Sequence, residues 1–231
     1  MNEPPDRATW VRQLRGTNEA QEDALSAVFD ERWGRIEETH RAFVERFLAF
    51  LPPGGRVLDA ACGTGKYFGM VLESGRSVLG VDHSGGHLAR ARDKFPDVPT
   101  ERRDLQDLLY REEFDGVMCV DAMEMVSPED WPVVVERFGR ALRPRGWLYL
   151  TVERVPEPDL RTATEAARRS GHPVVDREVV WPDDDLYHHY PRMDQVREWL
   201  GEAGFTIEAD HEDPWDEERF TYRHLLARRR A

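Results

Sequence analysis

Residues 57–67 read VLDAACGTGKY, and this stretch decides the fold. Val57, Leu58 and Ala60 make a short apolar run of the kind found in strands covered on both faces. The run carries an acid, Asp59, and then passes through the tight turn Gly63-Thr64-Gly65 into a helical pattern. Glycine at 63 and 65 lets backbone N–H groups approach a ligand that a side chain would hold off. A turn of this kind at the carboxyl end of a strand lies in the crevice where open α/β sheets bind ligands.

Two phosphate-binding patterns fail on these residues. A P-loop aligned on Gly65-Lys66 places Ala60 where its first glycine belongs and Tyr67 where its hydroxyl belongs. A dinucleotide fingerprint counted from Gly63 meets Phe68 at its third glycine, with Gly69 one residue out of register. Asp59 is also ill placed beside a pyrophosphate, whereas a carboxylate there suits an ammonium or a sulfonium.

Outward from this loop, strand patterns open at Arg56, Ser77, Thr100, Phe114 and Gly146, the last reading GWLYLTVE. Helical patterns fill residues 66–74, 86–95 and 128–142, with a short turn at 105–110. Strands alternating with helices imply βαβ units and a parallel sheet. Before the loop, Ile36, His40, Phe43, Val44, Phe47, Leu48 and Leu51 recur at helical spacing and form one apolar stripe that stops at Pro52-Pro53. After it come a helical stretch at 159–169, a Pro- and Asp-rich loop at 181–185, a helix at 193–203, and two strands opening at Phe205 and Phe220. The expected organisation is one domain over 1–231, with a helical cap at 1–53, a core at 54–153, and a substrate-side insertion, helix and hairpin at 154–231.

VLDAACGTG resembles motif I of the class I S-adenosylmethionine-dependent methyltransferases, and the spacings around it strengthen the likeness. Asp82 ends the next strand, VLGVD, where the family's acid takes both ribose hydroxyls. Asp104 follows the third strand and is similar to the family's adenine acceptor. FDGVMCVDAMEMV and ERFGRALRPRGWLYLTV resemble the family's fourth strand and the segment that ends its core, and WLGEAGFTIEAD and YRHLLARR its final helix and hairpin. The resemblance implies a doubly wound, Rossmann-like fold: a seven-stranded, mostly parallel sheet with an antiparallel last strand, plus amino-terminal helices. It implies S-adenosyl-L-methionine as cofactor and S-adenosyl-L-homocysteine as product. The cofactor would be bound by Asp59, Ala61, Gly63, Gly65, Asp82, His83, Asp104, Leu105 and Asp121. A single strand-end Asp is equally suited to forming a turn or capping a helix; three at consecutive strand ends behind a Gly-x-Gly turn favour the cofactor. Trp33 and Arg35 stand as cover for it or as packing groups.

Composition narrows the partners. The formal net charge of −13 argues against nucleic acid, whose phosphates are bound by Lys and Arg. No apolar run is long enough to span a membrane, and the first residues lack the pattern of a signal peptide. Cys62 and Cys119 lie in or beside apolar strands, which implies reduced thiols and a cytoplasmic location. Nothing in the sequence sets the oligomeric state.

For the methyl acceptor the sequence offers three candidate catalytic residues: Glu124, His188 and His189. DAMEMV is similar to the family's Asn/Asp-Ala-Leu-Glu-His-Val, but Met125 stands where His is common, which removes one base. Tyr187-His188-His189-Tyr190 offers bases near neutral pH and aromatic walls; a solvated loop is the plainer expectation, and Asp183, Asp184 and Asp185 just before it suit either a cationic amine or solvent. No second ligand set accompanies the His pair, so no metal is expected. His211 and His224 read as surface or packing groups. Asn/Asp-Pro-Pro-Tyr is absent after the fourth strand, which favours a small metabolite with an O, N or C nucleophile. The alternatives are a cofactor-binding protein of this fold without catalysis and, more weakly, a nicotinamide-dependent dehydrogenase.

Overall fold

The computed structural model describes residues 6–181, 186–214 and 220–231. Three helices come first: α1 (Arg7–Leu25), α2 (Phe29–Trp33) and α3 (Glu38–Phe50). The core follows as β1 (Arg56–Ala60), α4 (Phe68–Glu73), β2 (Ser77–Asp82), α5 (Gly85–Lys94), β3 (Thr100–Arg102), β4 (Phe114–Cys119), α6 (Trp131–Ala141) and β5 (Leu142–Arg154). The chain closes with α7 (Glu157–Arg169), β6 (Glu178–Val180), β7 (Tyr187–His189), α8 (Met193–Glu202), β8 (Phe205–Glu212) and β9 (Thr221–Arg229).

Seven strands form one sheet in the order β3-β2-β1-β4-β5-β9-β8. The first five run parallel, and β9 is antiparallel to both β5 and β8. This is the doubly wound, mostly parallel sheet expected from the sequence. Strand order reverses between β1 and β4, so the loops after Asp59 and Cys119 border the switch-point crevice.

Each face of the sheet is covered. On one face Val44, Phe47 and Leu48 of α3 join Val57, Val78, Met118 and Tyr149. A Cβ at Gly116 of β4 would run into Phe47 and Leu51, so this glycine lets α3 lie close against the strand. On the other face Trp131, Val134, Val135 and Phe138 of α6 pack with Val196 and Leu200 of α8. Among the described residues no helix is long and apolar enough to cross a membrane.

Several boundaries differ from expectation. The helix expected from 66 begins at Phe68, because Gly65 to Tyr67 are spent in the turn. The helix expected from 128 begins at Trp131, since Ser127 and Pro128 form its entry turn. Pairing of the fifth strand starts at Leu142, ahead of Gly146, with a register shift against Phe114 and Gly116. The expected loop around Tyr187–Tyr190 is in part a strand: β7 pairs with β6 as a separate two-stranded sheet. Asp183, Asp184 and Asp185 lie outside the described residues.

Candidate cofactor and active site

Three acids stand at the carboxyl ends of neighbouring strands β1, β2 and β3. Asp59 is 1% exposed, and its Oδ2 has no hydrogen-bond partner among the described residues. Burial, and then the nearby Asp82 charge, push its pKa up to about 8. Both oxygens of Asp82 are engaged: Oδ2 accepts the Gly63 N–H at 2.8 Å and Oδ1 the Ser84 N–H at 2.8 Å. Asp82 therefore joins the glycine turn to the start of α5. Asp104 accepts the Leu105 N–H at 3.1 Å, and burial raises its pKa. Leu105 is buried beside it, and His83 is half-buried, its carbonyl accepting from Arg102 at 3.0 Å.

Backbone conformation marks the same edge. Gly63 and Gly65 have φ of 52° and 78°, the left-handed region that glycine adopts without steric cost. Ala61 and Asp121 share that region at 65° and 53°, although each carries a Cβ. Strained residues of this kind cluster at ligand sites, and these two flank the switch point after β1 and β4. The Asp121 N–H donates to Thr151 Oγ1 at 2.8 Å, which holds the turn.

The amino-terminal helices cover the crevice. Asp23 accepts from Ser84 Oγ at 2.5 Å and from the Gly86 N–H at 2.9 Å. Phe29 meets the His87 ring edge-on at 4.5 Å, and its ring is the first group a Cβ on Gly63 would reach. Asp30 takes the Thr64 hydroxyl and the Lys94 ammonium. Trp33 packs on Phe29, while Arg35 projects into solvent beside Glu37. The cover is thus made by Asp23, Phe29 and Asp30, which sequence reading missed. Nothing in their local pattern sets them apart from surface residues.

A second polar cluster follows β4 and β5. Asp121 lies 3.0 Å from His40 Nε2, which donates to it, and 3.7 Å from Lys66 Nζ. Burial would raise Asp121, but the His40 hydrogen bond and charge and the Lys66 charge hold it below its ordinary value. Glu124 is 7% exposed with Oε2 unpartnered, and burial plus the Glu153 charge push it well up. Glu153 is 8% exposed, and burial raises it to about 8 although the Tyr190 hydrogen bond opposes this. Tyr190 lies 3.2 Å from Glu153 Oε1 and 2.8 Å from His188 Nδ1, and Trp181 Nε1 donates to both Tyr190 and His188. His40 and Glu153 were not singled out from the sequence. A His on the apolar stripe of α3 and an acid closing GWLYLTVE were their available signals.

The two candidate histidines separate. His188 shares the network of Tyr190 and Glu153, whereas His189 is turned to the other side of β7 and is 2% exposed. Burial lowers each to about 4, so both imidazoles are neutral at pH 7. Tyr187 and Tyr190 are buried as well, so this segment is no solvated loop. His224, read as surface or packing, is fully buried: it receives the Tyr149 hydroxyl at 2.9 Å and pairs with Asp213 at 2.9 Å. His40, Asp213 and His224 offer ligand atoms within 4.8 Å of one another. The sequence had suggested no such set.

Comparison with known proteins agrees with this fold. A methyltransferase-domain family model matches residues 57–146, from β1 into β5. The chain is 29% identical over 160 residues to a tRNA (carboxymethyluridine(34)-5-O)-methyltransferase of Arabidopsis thaliana, covering 67% of this chain and 39% of that protein. It is 28% identical over 232 residues to a demethylmenaquinone methyltransferase of Symbiobacterium thermophilum, covering 90% of this chain and 89% of the relative. A SAM-dependent methyltransferase structure from Methanosarcina mazei superposes with a TM-score of 0.69 at 16% identity, covering 79% of this chain and 95% of that one. The fold is that of the class I S-adenosylmethionine-dependent methyltransferases.

Proposed function

We propose that this chain binds S-adenosyl-L-methionine and transfers its methyl group to a nucleophilic atom of a small metabolite in the cytoplasm. One observation carries the reading: a buried carboxylate, Asp59, is left with an unpartnered oxygen beside the Gly63–Gly65 turn. An ammonium such as the cofactor's amino group fits that orphan, and it fits better than a phosphate. Asp82 and Asp104 would take the ribose and adenine, with Ala61, His83, Leu105 and Asp121 around them. When bound, the cofactor supplies an electrophilic methyl on a sulfonium.

The residues of this chain then have two tasks. Asp121, held by His40 and Thr151, shapes the edge nearest the switch point. Glu124 and His188 face the acceptor, with His188 neutral and tied to Tyr190. His189 supports β7 from beneath. Alignment of the acceptor accounts for most of the expected acceleration, on the order of 7–11 kcal/mol in well-oriented systems. The acidic surface favours a small acceptor over RNA.

Calorimetry with S-adenosylhomocysteine tests the reading. Binding in the micromolar range, roughly −8 kcal/mol, is expected. Folded protein that takes up NADH but not S-adenosylhomocysteine overturns it in favour of a dehydrogenase, and binding of neither overturns it outright.

A further inference from the structure

The edge formed by β4 and β5 holds more buried acids than its own cations meet. Asp82 is satisfied by two backbone amides, Asp121 by His40 and Lys66, and Glu178 by the Arg7 guanidinium. Glu124 and Glu153 differ. Each is more than nine-tenths buried, and the charges acting most strongly on them are other carboxylates: Glu153, Asp121 and Glu22 on the first, Asp121 on the second. Among the described residues Glu124 Oε2 has no partner, and Glu153 Oε1 meets the Tyr190 hydroxyl at 3.2 Å. The Tyr190 ring stands beside Glu153, and Trp181 packs edge-on against Tyr190. A buried acid pair of this kind is costly unless a cation completes it.

The methyl donor does not supply that cation for long. Its amino group is matched by Asp59, and its sulfonium charge vanishes as the methyl leaves. The chemistry that places a lasting positive charge here is methylation of nitrogen. The amine lone pair forms the N–C bond while the S–C bond breaks and its electron pair stays on sulfur, so the positive charge passes from sulfur to nitrogen. Buried carboxylates aimed at that nitrogen stabilise the charge as it develops. With the positive nitrogen set between them the pair is ionised, and the surplus N–H proton then goes to a carboxylate oxygen; Glu124 Oε2 has no other partner among the described residues. An anionic acceptor, a phenolate or a carboxylate, meets repulsion from the same pair.

We propose that the methyl acceptor is an amine-bearing small molecule whose nitrogen is held between Glu124 and Glu153. This rests on the methyltransferase reading and adds Glu153 to the residues that touch substrate.

The test uses the full chain, radiolabelled methyl donor, and a panel of small primary and secondary amines. Each amine is matched by an alcohol, a phenol or a carboxylic acid of the same skeleton. Label is expected in amines. Glu153→Gln and Glu124→Gln should each lower kcat/KM for the best amine by about 10²-fold or more, while the dissociation constant for S-adenosylhomocysteine stays within about threefold. Because each change replaces a buried acid that no cation meets with a neutral amide of the same shape, both variants should melt no lower than the parent at pH 8; if one fails to fold, the other carries the test. Loss of S-adenosylhomocysteine binding by the parent chain overturns both readings. Binding of it with no amine labelled, label confined to phenols or acids, or Gln variants as active as the parent each overturns the amine assignment alone. So does labelling that depends on added Mg²⁺, since a metal would then be the missing cation.

Discussion

Asp59 is the residue on which most depends, and its ionisation is open to measurement. Its folded pKa of about 8 lies above the ordinary 3.8, so the folded chain keeps a proton that the unfolded chain gives up between those values. Its contribution to stability is therefore present in full below pH 3.8 and is lost as pH rises through about 8. A ligand ammonium set against this carboxyl reverses the shift, and the proton leaves. S-adenosylhomocysteine binding near pH 7 is therefore expected to release a fraction of a proton, seen as an enthalpy that changes with the ionisation heat of the buffer. Asp59→Asn should abolish that buffer dependence; an equal dependence in the variant would place the titrating group elsewhere. At this scale the sequence was informative about the glycine turn and the strand-end acids, because these are local patterns with fixed spacing. It was poor on the second polar cluster. His40, Glu153 and Tyr222 come together from α3, β5 and β9, and no spacing in the chain encodes that convergence.

The elements that carry His188 and Tyr190 are joined to α1 by apolar contacts of Trp10 and Val11 and by a buried ion pair. Arg7, at the start of α1, donates at 2.6 Å to each oxygen of Glu178, a fully buried residue that opens β6. Glu178 also takes the Tyr187 hydroxyl and the Val175 N–H, so β6 and β7 are tied to α1 through a single carboxylate. Removing the cation strands that charge, at a cost of about 3 kcal/mol or more. Arg7→Ala should lower Tm by roughly 6 °C or more for a chain of this size and reduce turnover by displacing His188 and Tyr190. Adding Glu178→Gln to Arg7→Ala should restore part of the Tm; a double variant melting below Arg7→Ala would show that the stranded charge was not the cause. The alternation of strands and helices from β1 to β5 was legible because a two-residue period gives way to a helical one. β6 and β7 were not: each is three residues long, and their pairing is fixed by contact with α1 and not by their own composition.

Across the whole molecule, the cap and the core differ in how they are held. The sheet is buried on both faces by continuous apolar clusters, whereas α1 buries only Trp10, Val11, Asn18 and Glu22. Its remaining attachments are polar: Arg15 to Asp130 at 2.7 Å, Glu19 to Arg102, Asp23 to Ser84 and Gly86, with Asp30 of α2 on Lys94 at 2.8 Å. Largely exposed ion pairs contribute about 0–1 kcal/mol each, so the second half of α1 and α2, beyond the buried Arg7–Glu178 pair, can open at far less cost than global unfolding. The proposed cofactor site requires such opening, because Asp59 and Asp82 are nearly inaccessible. Hydrogen exchange is therefore expected to be fast in the second half of α1 and in α2, and slow in β1 and β4. Salt near 1 M, which shortens the Debye length to about 3 Å, should speed exchange in the cap alone. S-adenosylhomocysteine should slow it, since a ligand enclosed by the cap binds only its closed form. If α1 instead exchanges at the rate of β1 with and without ligand, cap and core open as one unit, and cofactor entry must follow a path that leaves these helices in place.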